Sequence, residues 1–252
     1  DEGGTVTGRF SYSNPNLQQI PARHAILGPL IRSIFVPEKN TEWGIFDYSQ
    51  QEPRLVVHYG SLKNFTGADS FVDAYNNDPS TDFHNMVSEM ADIPRKQAKT
   101  INLGLFYGMG KGKLMSQLGL NLEDATELLN SYHERVPFVK QLMNDTMNRA
   151  SKKGFVRTLE GRCCRFDLWE PSNDWGKKAL PLEEAEREYG DNLIKRAWTY
   201  KSLNRLIQGS AADQTKKAML ELSKEGYLAH IQVHDELDFS VANEEDKNKI
   251  KE

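Results

Sequence analysis

Short stretches of alternating apolar and polar residues predict strands towards both ends of the chain. Residues 31–36 and 43–48 fit this pattern, and the second stretch ends at Asp47. Residues 227–241 contain two apolar runs separated by a polar break at residues 234–236. This arrangement predicts a β-hairpin with acidic side chains at its tip.

The residues between these strands have the apolar spacing that is typical of helices. Helices are expected over residues 50–63, 66–90, 94–107, 122–151 and 192–224, with an interruption near Pro137 and a hairpin over residues 154–166. Asp92 is the expected N-cap of the helix over 94–107, and Gly108 its expected stop. Residues 1–23 predict an extended loop. The order of elements predicts an α+β fold, an antiparallel sheet with a largely helical insertion.

Composition narrows the class of protein only slightly. Of the 252 residues, 38% are hydrophobic and 27% are charged, which suits a folded domain with a solvated surface. No run approaches the ~18 apolar residues of a membrane span. Cys163 and Cys164 are adjacent, which disfavours a disulfide bond between them. We therefore expect an intracellular protein with reduced thiols.

The net charge of −4 argues against a generally basic, nucleic-acid-binding protein. The charges are nevertheless segregated along the chain. Residues 95–113 carry basic side chains and no acid, and residues 152–165 are mostly basic, whereas residues 183–191 are strongly acidic. Local surfaces that can bind phosphate groups are therefore compatible with the overall charge.

Two acids at strand ends are the first candidates for chemistry. Asp47 ends one predicted strand, and Asp235 lies at the tip of the predicted hairpin, followed by Glu236. Taken singly, each is typical of a turn or a helix cap. Taken together, two carboxylates at the edge of one sheet suit a pair of Mg²⁺ ions, which prefer hard oxygen ligands.

Four residues of the predicted helix over 94–107 recur at intervals of four: Arg95, Lys99, Leu103 and Tyr107. This spacing keeps them on one face of a helix. Two cations followed by an aromatic ring suit a triphosphate and a base, although a solvated basic face with a core tyrosine has the same pattern. Gly104 costs ~1 kcal/mol against alanine in a helix, which close approach by a base pair would explain.

Five segments in this order resemble those of the family A DNA polymerases, the bacterial DNA polymerase I group. Residues 47–54 (DYSQQEPR) resemble motif A, residues 95–108 (RKQAKTINLGLFYG) motif B, and residues 232–236 (QVHDE) motif C. Residues 7–21 resemble the segment TGRLSS…PNLQNIP of the family, and residues 208–213 its QGTAAD helix. The resemblance extends over nearly the whole chain.

The resemblance implies a domain organisation. Residues 1–63 would form the N-terminal part of the palm, residues 64–153 the fingers, and residues 154–252 a hairpin, a long helix and the palm hairpin that contains motif C. The thumb and exonuclease of the family are absent from this sequence. A fragment is therefore expected, whose parent chain has an upstream thumb, and the sequence leaves open whether an exonuclease or helicase domain is attached upstream.

The resemblance also implies a reaction and its residues. Asp47, Asp235 and the carbonyl of Tyr48 would bind two Mg²⁺ ions, for which Mn²⁺ could substitute. Glu236 would support the primer terminus or the metal site. Lys99 would protonate the leaving pyrophosphate. The substrates would be dNTPs and primer–template DNA, and the process DNA replication.

Further residues would bind the substrates. Those for the incoming nucleotide would be Arg95, Lys99, Leu103, Tyr107, Glu52, His84 and Gln50. Those for DNA would be Arg9, Asn16, Gln18, Asn204, Gln208 and His234. Within these sets, Glu52 would exclude a ribose 2′-hydroxyl and contact Tyr107, and Arg9 and Gln208 would contact minor-groove acceptors that every correct base pair shares.

Several positions depart from the family pattern. Leu103 replaces a usual Phe or Tyr, and because viral members are known to have leucine there, we expect a slower, phage-type enzyme working in the host cytoplasm. Gln51 and Pro53 replace an Ile and a Leu of motif A. Tyr200 replaces a frequent Arg, four residues before Asn204, which weakens one expected contact with the template.

Three alternatives remain open from the sequence. A single-subunit RNA polymerase shares the palm and a similar helix, although Glu52 argues against it. A catalytically weak nucleic-acid-binding fragment would explain the missing thumb. A metal-dependent nuclease also uses paired carboxylates but has no need of the cationic helix face.

Overall fold

The structure is a computed structural model that describes residues 4–21, 24–174 and 176–251. Residues 1–3, 22 and 23 of the predicted N-terminal loop lie outside the described residues, as does residue 252 of the last predicted segment. The chain divides into two compact units, which are Asp1–Gln51 with Ser210–Glu252 and, between them in sequence, Glu52–Gly209. The division into palm and fingers at residues 63 and 153 stays a prediction.

Helices dominate the described part of the chain. The α-helices are α1 (Leu27–Arg32), α2 (Gln51–Leu62), α3 (Ala68–Asn77), α4 (Phe83–Ala91), α5 (Arg95–Phe106), α6 (Lys111–Leu118), α7 (Leu122–Arg135), α8 (Pro137–Lys153), α9 (Leu182–Tyr189), α10 (Ser202–Lys224) and α11 (Glu244–Lys251). Short 3₁₀ helices occupy Leu17–Gln19, Asp191–Leu193 and Thr199–Lys201. No helix of the described residues is long and apolar enough to cross a membrane.

The strands form small antiparallel sheets, which confirms the predicted α+β class. They are β1 (Glu42–Asp47), β2 (Phe155–Arg157), β3 (Cys163–Arg165), β4 (Leu168–Pro171), β5 (Leu180–Pro181), β6 (Ile194–Arg196), β7 (Ile231–Val233) and β8 (Glu236–Val241). One sheet has the order β1-β8-β7, a second is the β2–β3 hairpin, and a third has the order β5-β4-β6. The first sheet joins residues from both ends of the chain.

One face of the β1-β8-β7 sheet packs on a hydrophobic core. Leu237, Phe239 and Val241 alternate along β8 and are buried with Ile250 of α11. Phe46 of β1 packs against them, its ring 5.8 Å from that of Phe239. Because side chains alternate between the faces of a strand, the residues between these positions point to the opposite face.

Buried aromatic rings form the centre of the other unit. Phe71 of α3, Phe83 of α4 and Phe138 of α8 are completely buried, and ring centroids of Phe71 and Phe83 lie 5.1 Å apart. Phe106 of α5 lies 6.0 Å from Phe83. Aromatic packing of this kind fixes how α5 lies against α4 and α8.

Most of the predicted elements are present, but the strand over residues 31–36 is wrong. Helix α1 extends to Arg32, and Ser33 caps it by donating its backbone N–H to Pro29. Ile34 and Val36 are each 72% exposed. Apolar alternation predicts a strand only where one face meets a core, and here neither side chain is buried.

Two predicted boundaries are also wrong. The helix over 192–224 begins only at Ser202, because Ile194–Arg196 pairs with β4 and Trp198 has a φ of +56°, which a right-handed helix does not allow. Asp92 ends α4 in the left-handed conformation, with φ +53°, and is not the N-cap of α5. Only three residues separate the two helices, and Pro94 occupies the N-cap position.

Candidate functional site

Strand β1 places Asp47 at the edge of the first sheet. Phe46 faces the hydrophobic core, so the adjacent Asp47 side chain faces the other way. Asp47 is paired in register with Glu236, the first residue of β8. Gly44 permits this packing, since a Cβ there would lie 2.5 Å from a methyl group of Val241.

The turn between β7 and β8 places Asp235 beside Asp47. Val233 pairs with Glu236, so His234 and Asp235 form a tight turn, in which His234 has a φ of +59°. The backbone N–H of Tyr48 donates to the carbonyl of Asp235 at 3.3 Å. The predicted metal-binding acids, which are far apart in sequence, are therefore neighbours at one edge of the sheet.

The electrostatics of this edge suit a divalent cation. Partial desolvation, followed by the negative charges of Asp235 and Glu236, raises the pKa of Asp47 to about 6. Carboxylates that repel one another in this way are the hard oxygen donors that Mg²⁺ binds, with water and substrate oxygens completing its shell. Among the described residues, no cluster of three or more His, Cys, Asp and Glu side chains is arranged to hold a metal on its own.

Helix α5 exposes the face that was predicted to bind a nucleotide. Arg95, Lys99 and Tyr107 are exposed and Leu103 is partly exposed, whereas Ala98, Ile101, Asn102 and Leu105 are buried. The spacing of four therefore does mark the outward face. A core position for the tyrosine, the alternative left open by the sequence, is wrong, because Tyr107 is 41% exposed.

The cations of α5 lie beside the start of α4. Arg95 donates to Asp82 at 2.6 Å, and the other carboxylate oxygen of Asp82 caps α4 through the backbone N–H of Asn85. These hydrogen bonds lower the pKa of Asp82 although its partial burial opposes the shift. Lys99 and Arg95 are close enough to His84 to lower its pKa further, in addition to the larger effect of burial. The structure thus brings together three of the predicted phosphate-binding residues.

Tyr107 contacts Glu52 as the resemblance predicted. Its hydroxyl donates to Oε2 of Glu52, in the first turn of α2, at 3.0 Å. The next residue, Gly108, has a φ of +68°, and a Cβ there would lie 2.9 Å from the carbonyl oxygen of Tyr200. Glycine is therefore required where the backbone leaves α5.

Gly104 has a different neighbour from the one expected. The side chain of Met109 occupies the adjacent space, so that a Cβ on Gly104 would lie 3.0 Å from its sulfur. The residue is buried on the inner side of α5. Its lack of a side chain leaves room for Met109, and close approach by a base pair stays a prediction.

The residues expected to contact DNA occupy both units. In the first, Asn16 caps a 3₁₀ turn by accepting from the backbone N–H of Gln18, whose side chain donates to Gln232 at 3.2 Å. The partly exposed Arg9 precedes them, and exposed His234 is in the hairpin turn. In the second unit, Asn204 and Gln208 lie one turn apart on a half-exposed face of α10.

Helix α2 begins at Gln51 and includes Pro53, and the structure accommodates both of these departures from the family pattern. Tyr48 and Gln50 are partly buried, and Gln50 has a φ of +54°. Gln51 is buried, and its amide donates towards the carbonyl of Ala211 and the hydroxyl of Thr215, each at 3.3 Å. A polar residue in place of isoleucine therefore has acceptors on α10. Pro53 lies in the first turn of α2, where no helical N–H is lost.

Sequence reasoning missed three polar residues near the predicted nucleotide-binding face. Asp82 holds Arg95, while Asn102 and Tyr132 form a buried chain with His84. The signal for Asn102 was present, since a helical period places it on the buried side of α5 beside Ala98 and Leu105. A polar residue at such a position requires a partner.

Comparison with known proteins identifies relatives over the whole described region. The sequence model of DNA polymerase family A matches residues 1–252. A DNA-directed DNA polymerase of Pseudomonas phage M6 is 38% identical over 94% of this chain. DNA polymerase I of Bacillus subtilis is 34% identical over 96% of the chain.

A solved structure is similar to the chain as well. The POL domain of Pol1 from M. smegmatis, in complex with DNA primer-template and dNTP, matches 98% of the chain with a TM-score of 0.75 and 29% identity. The chain spans 39% of the length of the phage polymerase and 26% of that of the Bacillus enzyme. It spans 41% of the M. smegmatis chain.

Proposed function

Because the chain belongs to the family A DNA polymerases, we propose that it carries the catalytic residues of template-directed DNA synthesis. The reaction is transfer of a deoxynucleotide from a dNTP to the 3′-hydroxyl of a DNA primer, as required for DNA replication inside a cell. The observation that supports it best is the pairing of Asp47 with Glu236, next to Asp235, at one sheet edge. A phosphoryl transfer of this kind depends mainly on positioning and charge neutralisation.

Asp47, Asp235 and the carbonyl of Tyr48 would hold two Mg²⁺ ions, or Mn²⁺ in their place. Burial, followed by the negative charges of Asp235 and Glu236, raises the pKa of Asp47, and the repulsion between these carboxylates supports the assignment because a cation between them relieves it. Bound metal supplies activation of the primer hydroxyl and neutralisation of the charge that develops on pyrophosphate. Glu236, paired with Asp47, supports the primer terminus from the same edge.

The exposed face of α5 binds the triphosphate. Arg95 and Lys99 supply two cations on successive turns, and His84 lies within their electrostatic reach. Arg95 is oriented by Asp82. Lys99 donates a proton to the leaving pyrophosphate, for which its exposure and its place on the helix face are suitable.

The sugar and base of the incoming nucleotide contact the C-terminal half of the exposed face of α5. Glu52, held by Tyr107, closes the space that a ribose 2′-hydroxyl would need. Leu103 lies beside the sugar, Tyr107 stacks near the template base, and Gln50 completes the nucleotide-binding set. Primer–template DNA is bound by Arg9, Asn16, Gln18, Asn204, Gln208 and His234.

Primer extension with a dNTP and Mg²⁺ tests this function. The experiment compares the unaltered chain with Asp235→Asn, which keeps the shape of the side chain and removes its charge. Asp73→Asn is the matched control, since Asp73 is an exposed acid on α3. We expect Asp235→Asn to lose primer extension and Asp73→Asn to retain it. Extension by the unaltered chain should require the divalent cation.

Three results would contradict the proposal in distinguishable ways. Primer extension by the Asp235→Asn variant would show that the carboxylates at this sheet edge do not form the catalytic metal site. Incorporation of ribonucleotides in preference to deoxynucleotides would indicate an RNA polymerase. Binding of primer–template without any extension, in every tested form of the protein, would indicate a nucleic-acid-binding module.

A further inference from the structure

Three polar side chains form a hydrogen-bonded chain in the interior of the helical unit. Tyr132 of α7 and Asn102 of α5 are fully buried, and His84 of α4 is 8% exposed. The hydroxyl of Tyr132 lies 2.6 Å from Oδ1 of Asn102, and Nδ2 of Asn102 lies 2.9 Å from Nδ1 of His84. A buried polar group that lacks a hydrogen-bond partner is costly. Each of these three side chains must therefore donate or accept in a way that satisfies its neighbour, which fixes the positions of the protons.

The direction of the hydrogen bonds follows from the tyrosine. Burial raises the pKa of Tyr132 well above its usual range, so that its hydroxyl keeps its proton. The hydroxyl donates to the amide oxygen of Asn102, its only hydrogen-bond partner within the described residues. The amide nitrogen therefore faces His84 and, because an amide NH₂ can only donate, Nδ1 of His84 must accept.

A neutral imidazole that accepts at Nδ1 carries its proton on Nε2. The groups around the ring favour the neutral form. Burial and the charges of Lys99 and Arg95 lower the pKa of His84, and Asp82 opposes them. A neutral ring with an Nε2–H donor can bind a phosphate oxygen, whereas the other tautomer would present a lone pair and repel it.

We propose that Asn102 and Tyr132 are positioning residues that fix His84 as an Nε2–H donor to the triphosphate of the incoming nucleotide. The inference rests on the proposed function, which gives His84 its place in the nucleotide site. The donor comes from inside the fold, while Arg95 and Lys99 act from the exposed face of α5. Asn102, on the buried side of α5, thereby contributes to binding the same nucleotide that the exposed face of α5 binds.

Nitrogen-15 NMR of the labelled imidazole, recorded on the full chain, tests the tautomer without any activity measurement. We expect the ¹⁵N shifts of His84 to show a protonated Nε2 and an unprotonated Nδ1 at neutral pH. In Tyr132→Phe, which keeps the ring and loses only the hydroxyl, the Asn102 amide can turn over. The spectrum should then shift towards a mixture of tautomers. A proton on Nδ1 in the unaltered protein overturns the inference.

Kinetics supply the second test. Loss of one ordering hydrogen bond in Tyr132→Phe should raise the KM for dNTP about three- to tenfold and change kcat by less. In a His84→Ala background, Tyr132→Phe should have no further effect on KM. Tyr227→Phe, which removes a tyrosine hydroxyl that donates to Asp246 at 2.9 Å, is the control and should leave both readouts unchanged.

The possible outcomes distinguish a failure of the positioning role of Tyr132 and Asn102 from a failure of the proposed function. An equal rise in KM from Tyr132→Phe with and without His84 would show a general packing effect and overturn the positioning role. A KM unaffected by His84→Ala would contradict the triphosphate role of His84 in the proposed function, while the imidazole spectrum would still decide the tautomer. If Tyr132→Phe fails to fold, the spectrum of the unaltered chain decides alone.

Discussion

The hydroxyl of Tyr107 donates to Glu52 across 3.0 Å, and this bond ties the C-terminal end of α5 to the first turn of α2. Tyr107 is at the C-cap of α5, where the helix has no further turn to hold its ring in place. The bond therefore orients the ring and, in return, keeps the Glu52 carboxylate in a fixed position. Under the proposed function, that position discriminates between sugars.

We predict that Glu52→Ala relaxes sugar selection. Removing the carboxylate opens the space that a 2′-hydroxyl needs, so incorporation of ribonucleotides relative to deoxynucleotides should rise about tenfold or more. Competition between ATP and dATP in a single-nucleotide extension assay measures the ratio. Glu123→Ala, at an exposed position in the first turn of α7, is the control. An unchanged ratio would remove Glu52 from sugar selection.

Leu103 gives a prediction about rate. The residue is partly exposed on the same face as Arg95 and Lys99, and its aliphatic side chain lacks the flat surface of the usual aromatic residue. We expect Leu103→Phe and Leu103→Tyr to increase single-nucleotide turnover. Leu118→Phe at the end of α6 is the control for added volume. Identical turnover in all variants would show that position 103 does not limit the reaction.

His133 should contribute a loss of stability in mild acid, whereas Asp47 and Asp238, whose pKa values are raised to about 6, contribute in the opposite direction. Burial, with a smaller effect from Lys140, lowers the pKa of His133 to about 4, from an ordinary value of 6.5. Its Nδ1 is buried and has no hydrogen-bond partner among the described residues. Between these two pH values the unfolded chain binds a proton at His133 that the folded chain does not, so the contribution of His133 to the free energy of unfolding decreases as the pH falls from about 6.5 to about 4.

Urea unfolding at several pH values measures this dependence. The unfolding midpoint of His133→Gln relative to that of the unaltered chain should rise as the pH falls across that range, because the replacement does not titrate. His58→Gln, at an exposed position of α2, should leave the dependence as it is in the unaltered chain. A His133→Gln variant with the same pH dependence as the unaltered chain would contradict the assignment.

Two glycine substitutions should have opposite effects on stability. Gly44→Ala places a methyl group 2.5 Å from Val241 and 2.8 Å from the ring of Phe46, and overpacking of this kind costs about 1–3 kcal/mol. Gly112→Ala in α6 meets no atom within 4 Å and should stabilise the helix by about 0.5–1 kcal/mol. Thermal unfolding of both variants compares them directly. A stabilising Gly44→Ala would show that the sheet face tolerates movement.

The elements that sequence patterns predicted correctly are those set by local alternation or helical period. Phe46 and Asp47 occupy opposite faces of β1 because neighbouring residues in a strand always do. The exposed stripe of α5 follows from its spacing of four in the same way. Residues 31–36 failed because alternation is informative only where a partner strand and a core lie alongside, and the local sequence carries no record of either.

Pairings between distant residues needed more than pattern. Nothing local to Asp47 indicates that Glu236 lies opposite it, and only the order of the motifs indicated that the acids are neighbours. Asn102 could be recognised as a polar residue on a buried face, but its partner Tyr132 lies on another helix. Asp82 was hidden for a similar reason, since its contact with Arg95 depends on how α4 packs against α5.

The strand order β1-β8-β7 has a consequence for biosynthesis. A ribosome releases β1 early, but β8 emerges only after the whole of Glu52–Gly209. Helices with mostly local contacts can form while translation continues, whereas β1 must wait for a partner at long sequence separation. The acidic edge is therefore assembled only after Glu52–Gly209 has emerged, and a nascent chain arrested before Asp235 has no means of pairing its carboxylates. Such incomplete products would expose the apolar edge of β1 and be targets for chaperones.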